Sequence, residues 1–232
     1  MKGKWLASLL AAIGLAQPAA AAEKLQTVDP KSIMFTVPTI SNDLAPLDPI
    51  ATPPQASEPQ MHEDDWCQVE FFRKSYLPEL ERILKEYKAF ESSNRQMTKV
   101  QGKEYPVWRN TYVRTVAREP LVLGNEALSQ LAKIVGAKPG PAAALFSSSS
   151  WSGRVKDGFT LVVGRSVELY GYSSSGDIPV LGASVGENPD DQALVKAFAS
   201  LNASLGLVLV DWRSQFILVG VNSDGKVQAW RP

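Results

Sequence analysis

The stretch Asn188–Trp230, NPDDQALVKAFASLNASLGLVLVDWRSQFILVGVNSDGKVQAW, decides the fold class. Asn188 is placed to cap a helix, Pro189 suits its first position, and Asp190 and Asp191 lie where the helix dipole is positive. Leu194, Phe198 and Leu201 recur at helical spacing, and Gly206 ends the run. Leu207–Trp212 then reads as an unbroken apolar strand and Ser214–Val221 as a second. Asn222-Ser223-Asp224-Gly225 turns the chain into a third, Lys226–Trp230. Asp-Gly between two β segments is a strong hairpin signal, so a helix is followed by an antiparallel meander.

Working upstream, a similar order recurs. Asn125 is placed to cap a helix carrying Leu128, Leu131, Ile134 and Val135, and Gly136 ends it. An apolar strand at Ala142–Phe146 and a serine run at Ser147–Ser150 lead to Trp151. Strands at Phe159–Val163 and Val167–Tyr172 follow, joined by a turn at Gly164-Arg165. A duplicated αβββ unit would explain the likeness; with so little residue identity between the two stretches, coincidence explains it as well. Val107–Val116 is rich in β-branched and aromatic residues and reads as a further strand, closed by Pro120.

From Asp65 to Phe90 the apolar residues Val69, Phe72, Tyr76, Leu80, Ile83, Leu84 and Tyr87 fall at helical spacing, interrupted by Pro78. Proline is tolerated in a first turn and costs ~3 kcal/mol inside a helix. The pattern therefore predicts a short helix ending near Lys74 and a second beginning at Pro78, followed by a polar break from Ser92 to Lys103. The expectation is an α+β domain over residues 65–232, helical over 65–100 and sheet-rich over 105–232. It would hold an antiparallel sheet of five to six strands with helices packed on one face.

Residues 1–22 read as a cleavable secretory signal of alanine-rich, bacterial style. Lys2 and Lys4 precede the uncharged run Trp5–Ala16, and Ala20, Ala21 and Ala22 offer a small-residue cleavage site. The run is too short to span a bilayer, which takes ~20 residues, and no membrane span is expected after cleavage. Residues 23–64 carry Pro30, Pro38, Pro46, Pro49, Pro53, Pro54 and Pro59 without a sustained apolar period. They read as an extended, disordered tether in which Ile33-Met34-Phe35 and Ile40 could dock.

The full chain has 24 basic and 24 acidic residues; removing Lys2 and Lys4 leaves a mature net charge of −2. That balance offers no general attraction to phosphate polymers, and nucleic acid is not an expected partner. Cys67, the single cysteine, cannot make an internal disulfide and is expected to be a buried thiol on an apolar helix face, with an intermolecular disulfide as the alternative.

The lone histidine, His62, falls in the tether, so an imidazole-based triad or a His/Cys zinc site is not expected. His62-Glu63-Asp64-Asp65 reads as a solvated acidic stretch with one helix-capping Asp. Ser152 with Lys156 and Ser223 with Lys226 are spacings common by chance. Gly136 to Gly140 lacks the spacing of a phosphate loop. Among carboxylates, Glu168, Asp177, Glu187, Asp190 and Asp191 could pair for glycoside hydrolysis, but the sequence prefers no pair. No catalytic residue, metal ligand or cofactor is therefore expected.

Trp151, Trp212 and Trp230 each sit at a strand end with Arg154, Arg213 and Arg231 nearby, and Trp and Arg are enriched at binding hot spots. The binding residues expected are Trp151, Arg154, Trp212, Arg213 and Trp230, against the alternative that these tryptophans plug the core. The function expected is a non-enzymatic periplasmic or secreted module that binds another exported or envelope protein, as an assembly accessory or an inhibitor. A carboxylate-dependent cell-wall or polysaccharide hydrolase, or a glycan or small-ligand binder, is the alternative.

Overall fold

The structure, a computed structural model, describes residues 39–41, 44–55, 58–147 and 150–232. The signal reading of residues 1–22 and the tether reading of residues 23–38 fall outside the described residues. Two compact units are present, one including Glu91–Thr111 and the other formed by Ile40–Phe90 and Tyr112–Pro232.

The smaller unit contains a hairpin of Arg95–Val100 with Lys103–Trp108, in register from Arg95↔Trp108 to Val100↔Lys103. Its two-residue turn, Gln101-Gly102, has positive φ at both positions, the geometry that matches strand twist. The expected polar break is thus partly strand. Most of its side chains are exposed, so no apolar alternation announced it.

The larger unit is built on an eight-stranded sheet. In chain order its strands are Val69–Arg73 (β1), Pro139–Gly140 (β2), Gly158–Gly164 (β3), Val167–Ser174 (β4), Asp177–Val185 (β5), Leu207–Asp211 (β6), Phe216–Val221 (β7) and Val227–Trp230 (β8). Their spatial order is β8-β7-β6-β1-β5-β4-β3-β2, and every neighbouring pair is antiparallel. The described residues also form three α-helices, Leu77–Asn94 (α1), Ala127–Val135 (α2) and Asp191–Leu205 (α3).

Strand β1 occupies the place where the sequence predicted a short helix. Phe71 and Phe72 are both buried, one in each of two separate cores, as a central strand requires. Its five residues pair along their whole length with β6, from Leu207↔Arg73 to Asp211↔Val69, and Glu70 faces Gly182 of β5 on the other side. A short 3-10 turn, Lys74–Tyr76, then leads into α1, whose second residue is Pro78, as the proline predicted.

Alternation along β6 shows how the sheet is covered. Leu207 and Leu209 pack with Leu131 of α2 and Phe198 and Leu201 of α3 on one face. Val208 and Val210 pack with Leu80, Ile83, Leu84 and Tyr87 of α1 on the other. Helices therefore lie on both faces of eight strands rather than on one face of five or six. Three of the eight were not read as strands: β1, whose buried run carries Glu70, β2, which is only the pair Pro139–Gly140, and β5, whose run is broken by Pro179 and Gly182.

The rest of the second face is covered by a small mixed sheet of Leu47–Asp48, Trp151–Val155, Ala144–Phe146 and Gln60–His62, in that spatial order. Met61, Leu145, Val155 and Trp66 pack from it and its flanking turn against Tyr170 and Val180. Two of its strands, Leu47–Asp48 and Gln60–His62, come from the stretch expected to be a tether, so the larger unit includes residues ahead of Asp65. Prolines there take positions where no donor is needed: the carbonyls of Pro46 and Pro59 accept from Lys156 N and Ala144 N.

The proposed αβββ likeness does not survive folding. Ala144–Phe146 lies in the small sheet, whereas its counterpart β6 lies at the centre of the large one. At the start of α3, Asp190 rather than Asn188 is the cap, its Oδ1 accepting from Ala193 N at 3.1 Å. Glu126, rather than Asn125, precedes α2 and makes no side-chain cap. Gly136 and Gly206 end α2 and α3 in the left-handed conformation, as expected.

A Cβ at Gly206 would meet nothing within 4 Å, so Gly206→Ala carries only the left-handed backbone penalty, about 1 kcal/mol. Phe71→Ala, which empties the central strand, is expected to cost roughly 3–5 kcal/mol. Urea denaturation of the two variants checks this ordering.

Candidate functional site

The second face of the large sheet encloses a carboxylate. The Glu70 side chain has no exposed surface. Its Oε1 accepts from Trp212 Nε1 at 2.8 Å and Arg114 Nη2 at 3.1 Å, and its Oε2 from Arg118 Nη1 at 2.8 Å. Arg114 Nη2 also donates to the Cys67 carbonyl, and the guanidinium stacks 4.6 Å from the centre of the Trp212 ring. Two cations facing one anion leave an excess positive charge. Of the two, Arg118 is the one solvent reaches, its side chain 23% exposed against 1% for Arg114. Burial pulls the Arg114 guanidinium below its usual range.

Cys67 adjoins this network in a turn, not on a helix face, with φ 56° and a fully buried free thiol. Its N–H donates to Tyr170 Oη at 2.7 Å. The Tyr170 ring reaches it by crossing Gly182, where a Cβ would lie 2.4 Å from the ring. Burial pushes the Cys67 thiol and the Tyr170 phenol well up, so both are neutral at ordinary pH.

This placement corrects the reading of Trp212. Fully buried and bonded to Glu70, it belongs to the core and has no surface to offer a partner. Arg213, next in sequence, is exposed and holds the preceding turn through Asp65 Oδ1 at 2.6 Å and the Asp64 carbonyl at 2.8 Å. Trp230 is half-buried on β8 against the α1 core, with Lys85 Nζ 5.5 Å from its ring centre. Trp212 is thus core and Trp230 packs against α1, whereas Arg213, through Asp64 and Asp65, lies beside the segment that carries His62.

Trp151 and Arg154 do share a surface, the outer face of the small sheet. Strand register sets Trp151 opposite Phe146 and Phe146 opposite His62. The three half-buried rings form a row across adjacent strands, with centroids 5.5 Å and 5.3 Å apart and edge-to-face geometry. One row along, Arg154 lies opposite Ala144 and Asp48, forms an ion pair with Glu58 and donates to the Ala142 carbonyl at 3.0 Å. Ser152 Oγ donates to Glu63 Oε2 at 2.9 Å, so its hydroxyl is turned to a carboxylate rather than to Lys156. Phe146 and His62 were missed as binding residues because a parallel pairing of Gln60–His62 with Ala144–Phe146 leaves no local signature.

Beside this face lies an open groove of about 520 Å³ lined by Glu58, Gln60, Thr160, Val162, Glu168 and Ser184 among others. Of the carboxylates considered for hydrolysis, only Glu168 enters it. Asp190 is the cap of α3, and Asp177 Oδ1 accepts from Gly124 N at 2.7 Å. Glu58 shares the groove, but the Arg154 guanidinium holds its carboxyl below the usual range. Among the described residues no group of three or more metal-ligating side chains occurs, and no helix is long and apolar enough to cross a membrane.

The chain matches no family model, and comparison with curated proteins and with solved structures found no significant match. The geometry of the surfaces therefore stands by itself.

Removing one partner from a buried charge network leaves an uncompensated charge. Glu70→Ala and Trp212→Ala are each expected to lower unfolding free energy by roughly 3–5 kcal/mol in chemical denaturation. In the same samples Cys67 is expected to resist alkylation in the native protein and to react fully once unfolded.

Proposed function

We propose that the chain is an exported, non-enzymatic module that binds another exported or envelope protein through the outer face of its small sheet. Export rests on the signal-like sequence of residues 1–22 and places the module in a periplasm or outside the cell. The observation that supports the binding face is the accessible row Trp151–Phe146–His62 with Arg154 one row along. Aromatic rings supply large contact area at low entropic cost, and Trp and Arg dominate interface hot spots. Both are held on strands rather than on free loops, and edge-to-face packing fixes the rings before a partner arrives.

The shared groove of Glu58 and Glu168 favours a second reading, a glycan-binding or glycan-cleaving site. The engagement of Glu58 with Arg154 weighs against its use as a free acid or nucleophile.

The test is affinity capture from an envelope extract with immobilised wild-type protein and a Trp151→Ala variant, followed by titration of the recovered protein. A hot-spot tryptophan is worth at least ~2 kcal/mol, so the variant is expected to bind about 30-fold more weakly with an unchanged melting temperature. Equal binding by both forms, or a wild-type protein that elutes alone, would overturn the reading.

A further inference from the structure

We infer that the groove beside the small sheet receives a basic side chain, arginine or lysine, of the bound protein. This rests on the binding face proposed above and names the chemistry that fits next to it.

Three observations carry it. The groove holds two carboxylates, but only Glu58 is matched by a cation, Arg154. Glu168 is half-buried and makes no ion pair with any described residue; its cross-strand neighbours on β3 and β5 are Val162 and Ser184, one apolar and one neutral. The site therefore keeps one net negative charge in a concave setting, and such clefts concentrate cations.

The ligand is further limited by what lines the walls. Among the described residues no group of three or more His, Cys, Asp or Glu side chains occurs, and one of the groove's two carboxylates is already engaged by Arg154, so the groove offers a hard metal ion a single free carboxylate. An ammonium or guanidinium needs less: one carboxylate and a few neutral acceptors. Ser184 and Thr160 hydroxyls and the Gln60 amide supply those, and Val162, Pro59 and Pro141 offer apolar contact for an aliphatic stem. The volume, about 520 Å³, exceeds what one side chain needs and admits its flanking backbone.

The groove is also continuous with the aromatic row, which points to a protein as the source of the cation. Gln60 lines the groove and His62 ends the row, two residues apart on one strand and on the same face. Arg154 lies in the row next to the rings and forms the groove's ion pair.

The test is NMR titration of the wild-type protein with a tetra-arginine peptide, with a tetra-glutamate peptide and with spermidine, repeated on Glu168→Gln and Trp151→Ala. Tetra-arginine is expected to shift the amides of Thr160, Glu168 and Ser184. Glu168→Gln is expected to weaken it roughly tenfold, as loss of a charge-assisted contact does, and raised salt to weaken it further. Trp151→Ala is expected to leave the Glu168 shifts in place, so failure at the groove and failure at the aromatic row give separate signals. Unchanged affinity in Glu168→Gln, shifts mapping elsewhere, or equal binding of tetra-glutamate would overturn the proposal. Tighter binding of spermidine than of tetra-arginine would overturn the assignment to a protein side chain.

Discussion

The buried carboxylate of Glu70 is the constraint around which the second face of the sheet is arranged. A charge with no exposed surface persists only if its partners are fixed, and here Arg114, Arg118 and the Trp212 indole fix it from three directions. The segment after Tyr112 is drawn over the sheet by those two arginines, and Cys67 is held in its strained turn by Arg114 and Tyr170. The α1 core and the small-sheet core meet beside this network: Phe72 and Trp212 belong to the first, Cys67 and Tyr170 to the second. Replacing such a network by apolar groups of the same shape could be neutral for stability, whereas removing one member is not, which makes it a device of specificity as much as of strength.

What was legible in the sequence follows from locality. The helix and meander of the last third could be read because a cap, an apolar stripe, a terminating glycine and an Asp-Gly turn are all local signals, and all but the exact capping residue hold in the structure. Strand β1 could not be read the same way. Val69, Phe72 and Tyr76 also suit a helix, and only its partners on both sides decide otherwise. The stretch from Ile40 to His62 looked like tether because its prolines interrupt any period; its strands are two or three residues long and are stabilised by residues about a hundred positions away. The binding residues divide the same way. Trp151 and Arg154 share a face, whereas Trp212 belongs to the core because a carboxylate from β1 reaches its indole, a contact 142 residues apart in sequence.

The functional proposal gains from that correction. With Trp212 withdrawn, the aromatic surface narrows to the row of Trp151, Phe146 and His62, bordered by Arg154 and a groove of net negative charge. A partner suited to it would offer apolar side chains to the rings and a cation to Glu168, and the chain's balance of 24 basic and 24 acidic residues leaves such a partner unopposed at long range.

The most direct measurement concerns the buried network itself: native-state hydrogen exchange of the Trp212 indole N–H, followed by NMR. A proton donated to Glu70 in a core with no exposed surface should exchange only through global unfolding, with a free energy equal to that from denaturant titration. Exchange at a free energy several kcal/mol lower would mean that the network opens locally, and would contradict its place at the centre of the fold.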